Sequence, residues 1–403
     1  MPLNLAAAND ILKDDYLPDI IDVLNNNTVL LQNIESNSTD FQGKRAYLPL
    51  KVGRNQGTGS RPESGQLPSP GNQQYDSAYW DMTHHYQTIK VTGQAIAAMK
   101  NDDGSWTRAI DSEVQGAVKD ALDDFNRQLF GDATGILADP GNALNGTSFT
   151  VDTSRYLQVG MLIDFIEINT GLPLSGGQNV AIATIPSSLT FTTSTSVVGA
   201  TTSNTRIVRH GNYGNEIFGL KAAVSSANPP QIAGVDNLFG EITRTGNPFW
   251  QANEIGSATH GGILTLDLIQ TGIDASDLNA GGTIDFMITT HFLHRRYAQL
   301  NMQDRRFPTA DGKPISYDGG YKALMYDDIE VFKDKHCPEG YWFMLEKGTF
   351  HLFTGAEWDW MDKDGSILYR PGREDSYEAT LFAYKQLGCE NPARNTVLTG
   401  LTQ

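Results

Sequence analysis

Two cysteines, Cys337 and Cys389, are all that the 403 residues contain. Two sulfurs make neither a disulfide framework nor a four-cysteine zinc site. The expected state is two thiols in a reducing cytoplasm, with a single bridge between them left open. No run of about twenty apolar residues occurs, which excludes a helical membrane span. Met1-Pro2-Leu3-Asn4 has no basic stretch leading into an apolar one, so no export signal is expected and the product stays where it is made. Basic residues are also scarce: 30 Lys and Arg stand against 47 Asp and Glu, a formal net charge of −17. A protein that grips nucleic acid needs a basic surface to neutralise phosphates, and this balance points the other way. Acidic charge keeps a concentrated protein soluble and opposes premature association.

What is present is a long, polar, glycine-rich chain. Its length exceeds what one hydrophobic core usually fills, so two or three sub-domains are expected. Residues 1–40 carry apolar clusters (Ile11-Leu12, Ile20-Ile21, Val23-Leu24, Val29-Leu30-Leu31) broken by Pro18 and by Asn25-Asn26-Asn27. They read as an extended arm with a short helical piece. Residues 44–52 alternate, with Ala46, Leu48, Leu50 and Val52 on one side. A turn-rich stretch from Gly53 to Gly71 follows, then a second extended segment over about 77–92 with Ala78, Trp80, Met82 and Tyr86 on one face. Together they predict a hairpin with arms of ~30 Å or more, at ~3.3 Å per residue. A two-stranded ribbon is marginal alone in water, so it is expected to lie on a second copy.

Residues 105–130 give the clearest helix: Trp106, Ile110, Val114, Ala117, Val118, Ala121, Phe125 and Leu129 recur every three or four positions, with Gly131 at the stop. Lys119–Asp123 and Asp123–Arg127 are spaced as i,i+4 ion pairs. Ser, Thr and Gly dominate 145–215, where short strand-like runs predict a small antiparallel β insertion. Beyond it, Leu264, Leu266, Leu268 and Ile269 suggest a helix, Thr283–Thr289 a buried strand and His291–Leu300 a short helix. Strands are expected over Tyr321–Lys333 and Gly340–Leu345, and again near Ile367–Arg370 and Tyr377–Leu387. There is no repeat and no heptad pattern.

Motifs that carry chemistry do not hold up. Gly53–Ser60 resembles a phosphate loop but lacks the Lys after its last glycine, and Pro62 and Pro68 prevent a helix from opening behind it. Asp362-Lys363-Asp364-Gly365, aligned as a calcium loop, places Trp360 and Pro371 where carboxylates are needed. A hairpin turn explains it better. His84 and His85 are neighbours in a strand and face opposite sides. His291 and His294 share a helix face, but only Asp304 is at hand as a third ligand, and a zinc site needs three or four convergent ones. No Gly-x-Ser-x-Gly elbow occurs, and no acidic pair is singled out for hydrolysis. No catalytic residue, cofactor or metal is expected, and the chain does not read as an enzyme.

The order of parts, and the local text, resemble the major capsid proteins of tailed bacteriophages, the Hong Kong 97-like fold. The likeness rests on Val29-Leu30-Leu31-Gln32-Asn33-Ile34-Glu35, on Gly43-Lys44-Arg45-Ala46-Tyr47-Leu48-Pro49-Leu50 and Val52-Gly53-Arg54-Asn55, and on Gln87–Lys100. It continues through Ala109-Ile110-Asp111-Ser112-Glu113 and Asn126-Arg127-Gln128-Leu129-Phe130-Gly131-Asp132. It covers most of residues 20–135, is fainter in Arg155–Asp164 and Glu216–Leu220, and is one of layout in the last third.

The resemblance implies an α+β fold with an N-terminal arm (1–40), an extended β-hairpin loop (41–100) and a peripheral domain with a long spine helix (101–139). An inserted antiparallel β domain (140–220) follows, then a return to the peripheral domain (221–254). An axial domain (255–345) and peripheral strands with the C-terminal tail (346–403) complete it. It implies hexamers and pentamers closing an icosahedral head that encloses double-stranded DNA without reading its sequence, assembled in the host bacterial cytoplasm. Expected partners are further copies of the chain, a separate scaffolding protein (no charged leader precedes the arm), a portal and, in some shells, a decoration protein. Leu48, Leu50, Val52, Arg54, Arg61, Trp80, Met82 and Tyr86 are the expected intersubunit contacts. Some shells of this fold weld subunits by a Lys–Asn bond from the loop. Here no Lys lies between Lys51 and Lys90, so non-covalent locking is expected. The rival is another virion structural protein, a tail, decoration or adhesin chain, which would account for the β-rich insertion but not for the ribbon and long helix.

Overall fold

The computed structural model describes residues 28–34, 38–40, 43–94, 103–141, 146–199, 201–230, 232, 238–303, 324–362, 367–370, 372 and 374–402. Most of the arm, Asp304, and Lys363 to Gly365 of the candidate calcium loop therefore lie outside the described residues. So do the side chains of Trp106 and Ile110.

Four sheets organise the described chain. The first has the order β1 (Ser38–Asp40), β17 (Phe350–Trp360), β18 (Ser376–Cys389), β4 (Thr83–Thr92), so segments three hundred residues apart lie side by side. In β4, His85, Ile89 and Val91 are buried while His84, Tyr86 and Thr88 are exposed, the period-two pattern of a strand with one face on a core. Across that buried face runs α2 (Asp103–Gln128), 26 residues long. Ala117, Ala121 and Phe125 face inward, and Phe125 meets the edges of His85 and Trp358 at ring separations of 5.0 and 5.9 Å. The helix closes where Gly131 N–H reaches the Gln128 carbonyl. Its charges pair differently from the i,i+4 reading: Asp123 bonds Lys335 and His336, and Arg127 bonds Asp124 and Glu216. Lys335, His336 and Glu216 come from outside the helix, whereas Asp124 lies one turn back on it.

The second sheet is the two-stranded ribbon of β2 (Arg45–Gly53) and β3 (Gln74–Asp81). Here the sequence reading needs correction. Residues 77–92 are not one arm: the pairing with β2 ends at Asp81, the chain breaks at Met82, and 83–92 run antiparallel to β18 in the first sheet. The break sits beside Trp80, whose ring is only 1% exposed and lies against Phe239, Trp250 and Phe353 at 5.5, 6.4 and 5.7 Å. An anchor of that size fixes one end of the ribbon and lets the chain turn. The expectation that a second copy must support the whole hairpin therefore fails for its root and for β4, which this chain holds itself.

The third sheet confirms a β-rich segment. Its order is β5 (Ile136–Ala138), β11 (Thr205–Arg209), β7 (Leu162–Glu167), β9 (Val180–Ser187), β10 (Thr190–Val197), β6 (Gly146–Thr150), with β8 (Leu172–Pro173) on β7. Its main pairs are antiparallel, and Phe149, Phe165 and Phe191 stack inside it. The fourth has the order β12 (Asn253–Ile255), β19 (Thr396–Leu398), β16 (Trp342–Leu345), β13 (Phe286–Thr289), β15 (Ile329–Lys333), β14 (Leu324–Tyr326). Packed with it are α3 (Leu266–Ala280), capped by the Thr265 hydroxyl, and α4 (His291–Gln303). A short α1 (Val29–Ile34) is tied to α2: Leu31 N–H donates to Asn126, and Asn126 donates to Asp334. One large core joins α1, the ribbon root, the end of α2, and β13, β16, β17 and β18.

Candidate assembly surfaces

The ribbon has two unlike faces. Register pairs Ala46 with Trp80, Leu48 with Ala78 and Leu50 with Asp76, while Tyr47 meets Tyr79 and Lys51 meets Tyr75. Because side chains alternate, the Ala46, Leu48, Leu50, Val52 side turns toward the chain's own core, where Leu48 and Leu50 pack partly buried against it. The other side carries Tyr47 and Tyr75 into solvent, 65% and 73% exposed. Arg45 sits over the Tyr79 ring and pairs with Asp81.

Beyond β2 and β3, residues 54–73 form a tip without helix or strand. It is shaped by local bonds: Asn55 Oδ1 accepts from Gly57 N–H at 2.7 Å, Gly65 N–H donates to the Pro62 carbonyl, and Arg61 Nε donates to the Gln66 carbonyl at 2.9 Å. No helix opens behind Gly53–Ser60, so the loop has no helix terminus to offer a phosphate. Leu67 stands 82% exposed in this tip.

The eight expected contact residues thus fall into three groups. Arg54, Arg61 and Tyr86 are exposed; Leu48, Leu50, Val52 and Met82 are half-buried. Trp80 is buried, its ring committed to the ribbon root, so it has no surface left for a neighbour. Sequence reasoning missed Tyr47 and Tyr75. The signal was present: they occupy the odd positions opposite the apolar stripe, where a lone ribbon in water would more naturally carry charge.

The root is held by side chains that sequence reading did not connect. Gly240 has φ +64, and a Cβ there would lie 2.7 Å from Trp250 and 3.1 Å from both Ala78 and Trp80, so only glycine lets this turn approach the ribbon. Arg244 is buried without a carboxylate partner; it donates to the carbonyls of Ala222, Ala223, Ala227 and Trp250. Burial lowers its pKa to about 10. Around α2, burial works against the charge of Arg127, but Asp124 and Glu216 outweigh it and hold the guanidinium above its ordinary value. These charges are structural ties between the helix and the 209–218 turn.

Other candidates separate. His85 is buried and His84 exposed, on opposite faces of β4. His85 has its pKa lowered to about 4, chiefly by burial. His291 and His294 lie on α4, and among the described residues no three His, Cys, Asp or Glu side chains converge on a metal position. Cys337 and Cys389 are buried free thiols, and burial pushes Cys389 up to about 12. No helix among the described residues is long and apolar enough to cross a membrane.

No protein-family model and no curated protein matches the chain. Solved structures do. The chain superposes on a protein of the cyanophage A-1(L) capsid with a TM-score of 0.63, at 13% identity and over 100% of both chains. It superposes on one from the capsid of a native GTA particle with a TM-score of 0.53, at 10% identity, over 99% of this chain and 98% of that one. At such identities the likeness is one of fold. The described residues have the mixed α/β fold of these capsid chains.

Proposed function

We propose that this chain is the major capsid protein of a tailed bacteriophage, a structural protein with no catalytic role. The observation that carries the reading is the superposition on capsid chains over the whole length of both partners. The ribbon supports it independently: a strand pair rooted in the core projects a twenty-residue tip (54–73) and two tyrosines into solvent. That is useful only if something else covers them.

In this reading identical chains pack around five-fold and six-fold centres and close an icosahedral shell around double-stranded DNA, in the host cytoplasm. Heterologous contacts close into rings, and obligate interfaces commonly bury more than ~2,000 Å², with burial stabilising by ~25 cal/mol per Å². Residues 1–40 act as the arm, 41–100 as the extended loop, 101–139 with 221–254 and 346–403 as the peripheral domain, 255–345 as the axial domain and 140–220 as the inserted domain. Contacts from the loop come from Leu48, Leu50, Val52, Arg54, Arg61, Met82 and Tyr86, with Tyr47 and Tyr75 added and Trp80 removed. A separate scaffold, a portal and a decoration protein are the further partners. The acidic balance suits a wall that encloses DNA without gripping it.

The experiment replaces residues 54–73 by a two-residue Asn-Gly turn, which closes a hairpin of this kind. The expected product keeps the far-ultraviolet dichroism of the parent yet sediments as a monomer, where the parent sediments as rings and particles. Particles of parental size from the shortened chain would refute the reading. Locking is non-covalent, so a ladder of multimers on a reducing denaturing gel would contradict that part alone.

A further inference from the structure

We infer, on the basis of the capsid reading, that Arg155, Arg295, Arg296 and Lys333 form a contact surface for the phosphate backbone of double-stranded DNA. Two groups of exposed Lys and Arg side chains form no ion pair among the described residues. One is the ribbon and its tip, with Lys44, Lys51, Arg54 and Arg61. The other is the set named here, far from the ribbon in sequence and drawn from three separate segments.

The fold brings those three segments to one place. Lys333 ends β15 and pairs in register with Thr289 of β13, two residues before α4 opens at His291. Arg155 reaches over from the β-rich insertion and donates to the carbonyl of Cys337, four residues beyond Lys333. Burial first, and then the charges of Lys333 and Arg155, push the pKa of His291 down, so both cations bear on the start of α4. Arg295 lies one turn further along that helix, its guanidinium 5.5 Å from the Phe292 ring, and Arg296 follows it. All four cations and His291 are exposed. The nearby carboxylate of Asp334 is buried and already taken up by Asn126 and by the N–H groups of Leu30 and His336.

Surroundings separate the two groups. The ribbon cations stand among Tyr47, Leu67 and Tyr75, all largely exposed, and aromatic side chains together with Arg are what a protein interface uses. None of the large apolar side chains exposed among the described residues belongs to α4, to β15 or to 333–341. A surface that is cationic and polar, without an apolar centre, suits nucleic acid better than a second copy. Arg and Lys neutralise phosphates without reading bases. Four such contacts per copy, repeated around a shell, give DNA a foothold on a wall whose net charge of −17 otherwise repels it.

The test is acylation of lysine amines in DNA-filled particles and in the same particles after their DNA is released, read peptide by peptide by mass spectrometry. Lys333 is expected to react at least fivefold more slowly in the filled particles, while Lys51 of the ribbon reacts alike in both. The triple variant Arg295→Gln, Arg296→Gln, Lys333→Gln changes only exposed side chains without ion pairs. It is expected to leave the melting temperature of the dissociated chain and the yield of particles unchanged. Equal reactivity of Lys333 with and without DNA overturns this inference and leaves the capsid reading standing. Protection of Lys333 in both states, with a tenfold loss of particles from the triple variant, gives the surface to a second copy and overturns it as well. A chain that forms no particles under any condition overturns the capsid reading, and this inference with it.

Discussion

His85 should make the dissociated chain sensitive to acid well above the pH at which carboxylates protonate. The side chain lies between β4 and α2, 8% exposed, with rings of Phe125 and Trp358 against it. The charged groups that bear on it are Asp124 from α2, which favours protonation, and Lys385 from β18 and His84 from its own strand, which oppose it. Burial dominates and takes the pKa from 6.5 to about 4. A group whose folded value lies below its unfolded one favours the native state in its neutral form. The stability it lends is therefore complete above pH 6.5 and is lost as pH falls toward 4. Each pKa unit is worth ~1.4 kcal/mol, so between pH 7 and 4.5 the loss from this one group is about 2.5 kcal/mol. His291 and His294 are also lowered, chiefly by burial, so the comparison must be with a variant. His85→Phe keeps an aromatic ring against Phe125 and removes the titration. Urea unfolding of the dissociated chain, followed by tryptophan fluorescence from pH 7 to 4.5, should show the variant losing about 2.5 kcal/mol less than the parent. Parallel pH profiles for the two would refute the reasoning.

Three further outcomes follow from the ribbon root. Trp80→Ala should cost ~3–5 kcal/mol as an aromatic cavity, and should speed limited proteolysis within 54–73, since the anchor holds that segment's base. Gly240→Ala, with φ +64 and Trp250 2.7 Å from the new methyl, should destabilise by ~2 kcal/mol or more, measured by thermal melting. Arg244→Met removes the donors from four carbonyls, three of them in buried bonds, and should cost ~3 kcal/mol or more. Arg244→Lys should recover only part of this, because an ammonium cannot reach four carbonyls in the planar guanidinium's geometry.

Local pattern was legible where burial follows a simple period. α2 was visible because Ala117, Ala121 and Phe125 recur at helical spacing, and the insertion was visible because its strands are short and bounded by Gly, Ser and Thr. β17 escaped notice for a physical reason: its pairing with β18 shifts register between Thr354 and Ala356 and again before Asp359, and each bulge resets the alternation by which a strand is recognised. β4 was found but misplaced, because its partner β18 lies some three hundred residues away and nothing local distinguishes that pairing from a longer hairpin. The Trp80 anchor was hidden likewise, since Phe239, Trp250 and Phe353 come together only in the folded chain. Tyr47 and Tyr75 were legible in principle from parity alone.

Self-assembly is tested most directly by imaging. Purified chain, concentrated and viewed in negative stain, is predicted to show rings of five and six copies and closed shells. A field of single chains, or of soluble trimers and rods, at every concentration would contradict it.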